Sequence, residues 1–355
     1  MREEAKPNLL IAASGTGGHL FPALAVAEEL GDYNIQWLGV PNRLETKLVP
    51  SSYPLTTLNI EGIKKRIALG TIGVSFRIPP AVSKVVNLIK KNQIQGIFTT
   101  GGYISAPAII AARICGIPVI IHDSNAIPGK VTRWFARWCH TVALGFPTAE
   151  KYFPRQRTIW VSTPVRKAFH SPQPLDLPLK EETPLIVVLG GSQGAVAVNQ
   201  LIRSSAKVWL ETGAVIVHLT GERDPEVDRF QHPQYYTFPF YENMAGLLQR
   251  ANFAISRAGA GTLTELAITG TPAILIPYPY AAEDHQTYNA QTFVEVGAAV
   301  SYPQQELTSD TLEKTVLQWL ASPKMLSEMG EKAKTLAVND SAIQIATLLR
   351  QAVST

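Results

Sequence analysis

Two Rossmann-like, doubly wound α/β domains are predicted for this chain on three observations. Apolar runs of strand length recur at 8–13, 35–40, 96–99, 119–121, 185–189, 215–220, 253–255 and 273–276, and many are followed by helix-like segments. Four of these runs break into a glycine turn that opens a helix, after Ala13, Thr99, Leu189 and Ser256. Between the halves lies a stretch holding Pro164, Pro172, Pro174, Pro178 and Pro184, residues that cannot sit inside regular elements. The expected division is a first domain over 1–163, a linker over 164–184 and a second domain over 185–355, with the last helix able to pack back on the first.

The composition suits two cores. Of 355 residues 46% are hydrophobic and 17% charged, which excludes a disordered chain. Arg113 interrupts the longest apolar candidate, Ile109–Ile121, well short of the roughly 20 residues a membrane-spanning helix needs. Cys115 and Cys139 offer neither a disulfide framework nor metal-ligand spacing and read as buried thiols. The start, Met1-Arg2-Glu3-Glu4, is acidic where a signal peptide is basic, so a reducing cytoplasm is the expected home. The net charge of +4 is uneven: residues 1–163 carry +9 and the remainder −5, so the first half is expected to face an anionic partner.

Taken in order, Asn8–Ala13 leads into Ser14-Gly15-Thr16-Gly17-Gly18-His19 and a helix expected from about Pro22 to Leu30. The loop departs from the dinucleotide fingerprint, since Leu20 holds the third glycine position and no acidic residue closes the strand at 35–40. It reads as a site for some phosphate. His19 stands where a helix dipole opposes positive charge. A neutral ring there is able to accept a proton, and a purely structural histidine capping the turn is the alternative.

Residues 60–91 mix cations with bulky apolar side chains: Lys64, Lys65, Arg66 and Arg77 beside Ile67, Leu69, Ile72, Val74 and Phe76, then an expected amphipathic helix over 82–91. Docking on an anionic membrane surface accounts for both features; a solvated face over a satellite core is the competing explanation. Nothing points to nucleic acid. The next strand runs into Thr100-Gly101-Gly102-Tyr103, and the strand at 119–121 delivers His122-Asp123-Ser124-Asn125 to a loop closed by Pro128-Gly129. Polar residues bunched at a strand's carboxyl end are where open α/β sheets place their sites. The following helix again joins cations and aromatics, in Arg133, Trp134, Phe135, Arg137 and Trp138.

In the second half, Gly190-Gly191-Ser192-Gln193-Gly194 opens a helix over 196–210, and 238–244 offers aromatics able to flank a planar base. The most informative stretch is 253–289. Its strand breaks at Ser256 into Arg257-Ala258-Gly259-Ala260-Gly261, and a helix is expected from Thr262 with Glu265 in its first turn. Such a turn aims bare N–H groups and a positive dipole end at an anion. A carboxylate beside a phosphate is repelled by it, so Glu265 suits a neutral vicinal diol such as ribose. The other explanation is an ordinary strand–turn–helix whose Glu is a solvated charge. A nucleotide-sugar diphosphate is the favoured ligand. The last helices are expected over 310–320 and from Pro323 to the end.

In this order and spacing, SGTGGHLFPALAVA, TTGGYISAPA, IIHDSNAIPG, STPVR, LGGSQGA, SRAGAGTLTE and HQTYNA resemble the motifs of the MurG family across nearly the whole chain. The resemblance implies the two-domain GT-B glycosyltransferase architecture with a cleft between the domains. It also implies inverting transfer of N-acetylglucosamine from UDP-N-acetylglucosamine to undecaprenyl-linked lipid I, giving lipid II for peptidoglycan. The place of action would be the cytoplasmic face of the bacterial plasma membrane, as a peripheral protein.

On this resemblance His19 is the general base of first choice and Asp123 the second. Thr16, Gly17 and Gly18 lie near the donor sugar, and Gly101, Gly102 and Tyr103 serve the acceptor. Asn125 contacts the donor sugar, while Arg166 and Ser192 stand near the pyrophosphate. Tyr241 meets the uracil through its backbone. Ala260, Gly261, Thr262, Leu263, Thr264 and Glu265 form the donor loop with Glu265 on the ribose, and Gln286 reads sugar hydroxyls. No cofactor or metal is required on this reading. Two departures stand out: His122-Asp123-Ser124-Asn125 replaces the family's H-E-Q-N, and Ser162-Thr163-Pro164-Val165-Arg166 replaces G-N-P-V-R. A glycolipid synthase with another lipid acceptor, a UDP-sugar epimerase and a non-catalytic sugar-nucleotide-binding subunit are the competing functions.

Overall fold

The structure is a computed structural model that describes residues 6–59, 70–190 and 195–354, with only the backbone described for 70–78. Lys64, Lys65, Arg66, the side chains of Ile72, Val74, Phe76 and Arg77, and Ser192 within the third glycine turn lie outside the described residues. Contacts divide the chain into Met1–Arg166 with Asp340–Thr355 (unit 1) and Lys167–Asn339 (unit 2).

Unit 1 contains strands β1 (Asn8–Ala12), β2 (Asn34–Gly39), β3 (Leu55–Thr57), β4 (Ile94–Thr99), β5 (Val119–Asp123), β6 (Thr141–Leu144) and β7 (Thr158–Trp160). They pair in the order β3-β2-β1-β4-β5-β6-β7, every pairing parallel. Helices α1 (Gly17–Glu28), α2 (Glu45–Leu48), α3 (Gly70–Lys91), α4 (Ser105–Cys115) and α5 (Lys130–Phe135) lie between the strands in sequence. A parallel sheet covered on both faces needs strands without a polar side, and Leu9, Leu10, Ile11 and Ala12 are all fully buried. The order reverses between β1 and β4. The chain leaves β1 toward one edge and β4 toward the other, so their carboxyl ends part and open a crevice there. The first two glycine turns follow these two strands.

Unit 2 repeats the plan with β8 (Leu185–Leu189), β9 (Val215–Leu219), β10 (Tyr235–Phe238), β11 (Phe253–Ser256), β12 (Ala273–Leu275) and β13 (Ala299–Ser301). Their order is β10-β9-β8-β11-β12-β13, again all parallel. Its helices are α6 (Val196–Leu210), α7 (Met244–Arg250), α8 (Ala260–Thr269), α9 (His285–Glu295), α10 (Ser309–Leu320) and α11 (Pro323–Lys334). The reversal falls between β8 and β11, and the other two glycine turns follow these strands.

The helix expected from Pro323 to the end is two helices, α11 and α12 (Ser341–Ser354), and α12 belongs to unit 1. Ile345, Leu349 and Ala352 pack in one cluster with Leu9, Ile11, Phe98 and Ile120. A Cβ on Gly96 would lie 2.7 Å from Val353 Cγ2, so this glycine lets the helix reach the sheet. Arg350 clasps Asp32 at 2.7 and 2.8 Å, and that hydrogen-bonded guanidinium holds the Asp32 carboxyl below its usual range. The division also differs from the expected one before Pro184. Residues 167–184 belong to unit 2. Gln249 Oε1 accepts from Gln173 N, Asn243 donates to Pro174 O, and Arg250 donates to the carbonyls of Lys180, Glu181 and Thr183. Prolines keep this segment out of regular elements, yet side chains of α7 satisfy its backbone.

Two helix starts precede their expected positions. α1 begins at Gly17 behind the extended residue Thr16 (φ −98°, ψ 165°), which leaves Pro22 inside the helix. α8 begins at Ala260 behind the extended Gly259 (φ −69°, ψ 134°). Glu265 therefore sits in the second turn of α8, where its carboxylate is set back from the helix end.

Candidate active site

In unit 1 the first glycine turn is held from below. Gly15 takes φ +110°, a left-handed conformation that favours glycine, and its N–H donates to Glu45 Oε2 at 3.3 Å. The other oxygen of this fully buried carboxylate accepts from Val40 N at 2.7 Å. Gly39 leaves room for this side chain, since a Cβ there would lie 2.7 Å from Glu45 Cγ. Gly17 likewise leaves room for Phe21, whose ring would come within 2.8 Å of a Cβ. That ring carries the half-buried Arg166 guanidinium over its face at 5.2 Å, so the first turn and Arg166 meet within one unit.

His19, on the first turn of α1, bridges to the second glycine turn. Its Nδ1 lies 2.6 Å from Thr100 O, and Thr100 Oγ1 donates to His19 O at 2.9 Å. A carbonyl can only accept, so Nδ1 of the neutral ring carries the proton and Nε2 presents its lone pair. Gly101 and Gly102 take φ +87° and +75°; a Cβ on Gly102 would stand 3.8 Å from Nε2. The bare turn thus lines the ring, with Tyr103 exposed beside it. Ser105 anchors this turn by donating to Gly101 O at 2.6 Å.

The two polar residues ending β5 are internally engaged. His122 is fully buried, its Nδ1 3.1 Å from Ala143 O and its Nε2 3.2 Å from Ser124 Oγ. Burial pushes its pKa down to about 4, with a further contribution from nearby His19. Asp123 is 5% exposed, and its oxygens accept from Asn125 N at 3.2 Å and Gly129 N at 2.9 Å. It shapes the loop that carries the half-buried Asn125. Ser162, at the family's glycine position, is itself left-handed (φ +61°) and buried, which explains the glycine that it replaces.

In unit 2 a buried polar network lies beneath the start of α6. Asn199, on the first turn of α6, donates to Thr220 O at 2.9 Å and Asp224 Oδ2 at 2.8 Å, and its Oδ1 lies 3.0 Å from His218 Nε2. His218 Nε2 must therefore donate, so Nδ1 accepts from the Tyr235 hydroxyl at 2.6 Å. Arg203 grips Asp224 bidentately at 2.6 and 3.2 Å. Burial pushes the His218 pKa down to about 3, and the Arg203 charge adds to this. Burial alone would raise the Asp224 pKa; hydrogen bonds from Arg203, Glu226 N and Asn199 reverse the shift and hold it below the usual range.

The fourth turn leads into α8. A Cβ on Gly259 or Gly261 would meet open space, so packing does not demand these glycines, and they leave the approach to the helix's first N–H groups uncovered. Thr264 Oγ1 folds back onto Ala260 O at 3.1 Å, Leu263 is buried, and Thr262 and Glu265 are half-buried. Tyr241 is buried with its ring 5.1 Å from that of Phe238, while Phe240 is 58% exposed. Gln286 lies in the first turn of α9, its Oε1 accepting from Tyr278 N at 2.9 Å. Just ahead, Glu283 and Asp284 both adopt left-handed φ, +52° and +56°. Strain in two consecutive non-glycine residues is of the kind that clusters at functional sites.

Within unit 1, Thr16, Gly17, Gly18 and His19 follow β1, Gly101, Gly102 and Tyr103 follow β4, Asp123 and Asn125 lie at the end of β5 and Arg166 follows β7. Within unit 2, residues 260–265 follow β11, Tyr241 follows β10 and Gln286 lies on α9. The residues the sequence did not single out are Glu45, Asn199 and His218, which no short motif marks, and Arg257, which lies within SRAGAGTLTE but has partners far along the chain that give it its role.

The comparisons agree with this geometry. The glycosyltransferase family 28 N-terminal domain matches residues 9–144, and the glycosyltransferase family 28 C-terminal domain matches 185–345. A protein of Gloeothece citriformis, named UDP-N-acetylglucosamine–N-acetylmuramyl-(pentapeptide) pyrophosphoryl-undecaprenol N-acetylglucosamine transferase, is 65% identical over 96% of this chain and 95% of its own. A protein of the same name from Rippkaea orientalis is 60% identical over 96% and 97%. The crystal structure of Acinetobacter baumannii MurG superposes with a TM-score of 0.78 at 31% identity, covering 98% of this chain and 99% of that one. Two parallel sheets with glycine turns at both reversals, matched over nearly their whole length, are those of a GT-B enzyme, and the chain belongs to glycosyltransferase family 28.

Proposed function

We propose that this chain transfers N-acetylglucosamine, with inversion, from UDP-N-acetylglucosamine to the undecaprenyl-pyrophosphoryl muramoyl-pentapeptide, lipid I, forming lipid II. The activity for which these relatives are named supplies the substrates. The observation in the molecule that carries a transfer reading is His19: Nδ1 is committed to Thr100 O, and Nε2 is left to take a proton beside two bare glycine turns. The acceptor hydroxyl oxygen attacks the anomeric carbon, its proton passes to Nε2, and the bond to UDP breaks with its electron pair leaving on the β-phosphate. Within unit 2 the start of α8 stabilises the departing diphosphate without a cofactor. Asp123, with both oxygens on backbone N–H groups, positions Asn125. Glu265 receives the ribose hydroxyls.

Unit 1 carries the acceptor. On and beside α5, Trp134 is 66% exposed, and Trp138 has Arg137 stacked 4.9 Å from its ring centroid. Arg133 and Lys151 stand over the Tyr152 ring at 5.8 and 5.4 Å. Exposed aromatics among cations suit an anionic headgroup layer, so the protein docks peripherally on the cytoplasmic face of the plasma membrane. Among the described residues no helix is long and apolar enough to cross a membrane. Lipid II made there serves peptidoglycan synthesis, and through it cell shape and division.

Radiolabelled UDP-N-acetylglucosamine offered with lipid I, with diacylglycerol or with no acceptor tests the activity. Label moving to lipid I alone is expected; label on diacylglycerol, or epimerised donor without acceptor, overturns it. Arg133→Glu with Arg137→Glu should release the protein from anionic vesicles and leave UDP binding intact. Equal binding of the native chain to neutral and anionic vesicles refutes electrostatic docking.

A further inference from the structure

Gln286 and the start of α8 come from different elements, and one unassigned residue ties both to the same turn. Arg257, the first residue after β11, points across the sheet end. Its Nη1 donates to the carbonyls of Ile276 and Pro277 at 3.0 and 3.1 Å, its Nη2 donates to Gln304 Oε1 at 2.6 Å, and its guanidinium lies 5.5 Å from the Tyr278 ring centroid. Tyr278 is the residue whose N–H holds Gln286 Oε1. From the other side, fully buried Asn289 of α9 donates to Ala258 O at 3.1 Å, in the turn that launches α8. Arg257 and Asn289 together set the first turn of α9 against the first turn of α8.

This arrangement also determines what Gln286 can offer. Tyr278 N is a donor, so the amide oxygen must face it, and the orientation of the side chain is set by chemistry. The amide nitrogen makes no hydrogen bond among the described residues and presents two donors.

We propose that Arg257 is a positioning residue for sugar recognition: it holds the 276–278 segment so that Gln286 presents its amide nitrogen, as donor only, to hydroxyl oxygens of the transferred hexosamine. The inference rests on the donor reading above. Arg257 does not touch the ligand; its guanidinium is occupied by protein carbonyls. Its loss loosens the sugar contact and leaves the nucleotide contacts of α8 in place.

Calorimetric titration of the full chain with UDP and with UDP-N-acetylglucosamine tests this. Gln286→Ala should weaken the sugar nucleotide by about three- to tenfold, the worth of a neutral hydrogen bond, and leave UDP unchanged. Gln286→Glu keeps an acceptor for Tyr278 N, removes the donor, and should lose at least as much. Arg257→Lys, which cannot reach three carbonyl oxygens in the same fork, should show the same sugar-selective loss and add little in a Gln286→Ala background. Gln304→Leu removes only the Nη2 anchor and should give a smaller loss of the same kind, which keeps the test open if Arg257→Lys fails to fold. Equal weakening of UDP and UDP-N-acetylglucosamine by Arg257→Lys or Gln304→Leu, additive losses in the double variant, or an unchanged sugar-nucleotide affinity in Gln286→Ala overturns the proposal. Failure of the underlying donor reading looks different: the unmodified chain would bind neither ligand.

Discussion

Acid should weaken unit 2 through one histidine. His218 is fully buried among Asn199, Tyr235 and the Arg203–Asp224 pair, and its pKa of about 3 stands against 6.5 for a free side chain. The folded state cannot take the proton that the unfolded chain takes. The stability His218 contributes is present above pH 6.5 and is lost progressively as pH falls toward 3. At pH 5 the difference is about 1.5 pH units, or about 2 kcal/mol at 1.36 kcal/mol per unit. That is a large part of a typical domain stability of about 5–15 kcal/mol. Asp224, held below the usual carboxylate range, stays ionised between pH 7 and pH 5 and so adds little to the change over that interval. Buried His122 imposes a similar loss on unit 1, so the assay must resolve the units. Amide exchange of β8 and β9 in graded urea, at pH 7 and pH 5, does so once corrected for intrinsic exchange rates. In His218→Gln the drop from pH 7 to pH 5 should shrink by about 2 kcal/mol, whatever the variant's absolute stability. The same drop in variant and native protein would refute the assignment.

Three further outcomes are expected. His19→Ala should lower kcat by about 10²–10⁴ with UDP affinity nearly intact and a changed acidic limb of the rate–pH profile, whereas Asp123→Asn should cost less; the reverse ranking in steady-state assays would move the base to Asp123. Glu45→Ala strands the N–H groups of Gly15 and Val40 and should destabilise unit 1 by about 2 kcal/mol, read as a shift in urea midpoint, while sparing UDP affinity. Ser162→Gly relieves a left-handed serine and should raise stability by at most about 1 kcal/mol, whereas the β-branched Ser162→Val should lower it, both checked by thermal melting.

Local chemistry made much of this protein legible from its sequence. A strand buried on both faces must be apolar throughout, and a tight strand-to-helix turn demands glycine. Leu185–Leu189, α6 and the four glycine turns are therefore visible in windows of a few residues. The charge asymmetry and the proline-rich stretch belong to the same class of signal. Helix starts were less legible: Thr262 and Pro22 look like first residues, but extended Gly259 and Thr16 start their helices earlier, and this moves Glu265 back by a turn.

What only the tertiary structure decided depends on residues distant in sequence. Glu45 reaches Gly15 across 30 positions, Arg257 reaches Gln304 across 47, and Arg350 clasps Asp32 across 318. A carboxylate or guanidinium looks the same in sequence whether it is solvated or buried. Its role is determined by which carbonyls and N–H groups the folded sheets bring to it, and those contacts exist only once β1, β4, β8 and β11 stand side by side with their neighbours. The same reason places α12 in unit 1: its apolar face marks it as a packed helix, but only the β1–β4 surface, opened by Gly96, determines where it packs.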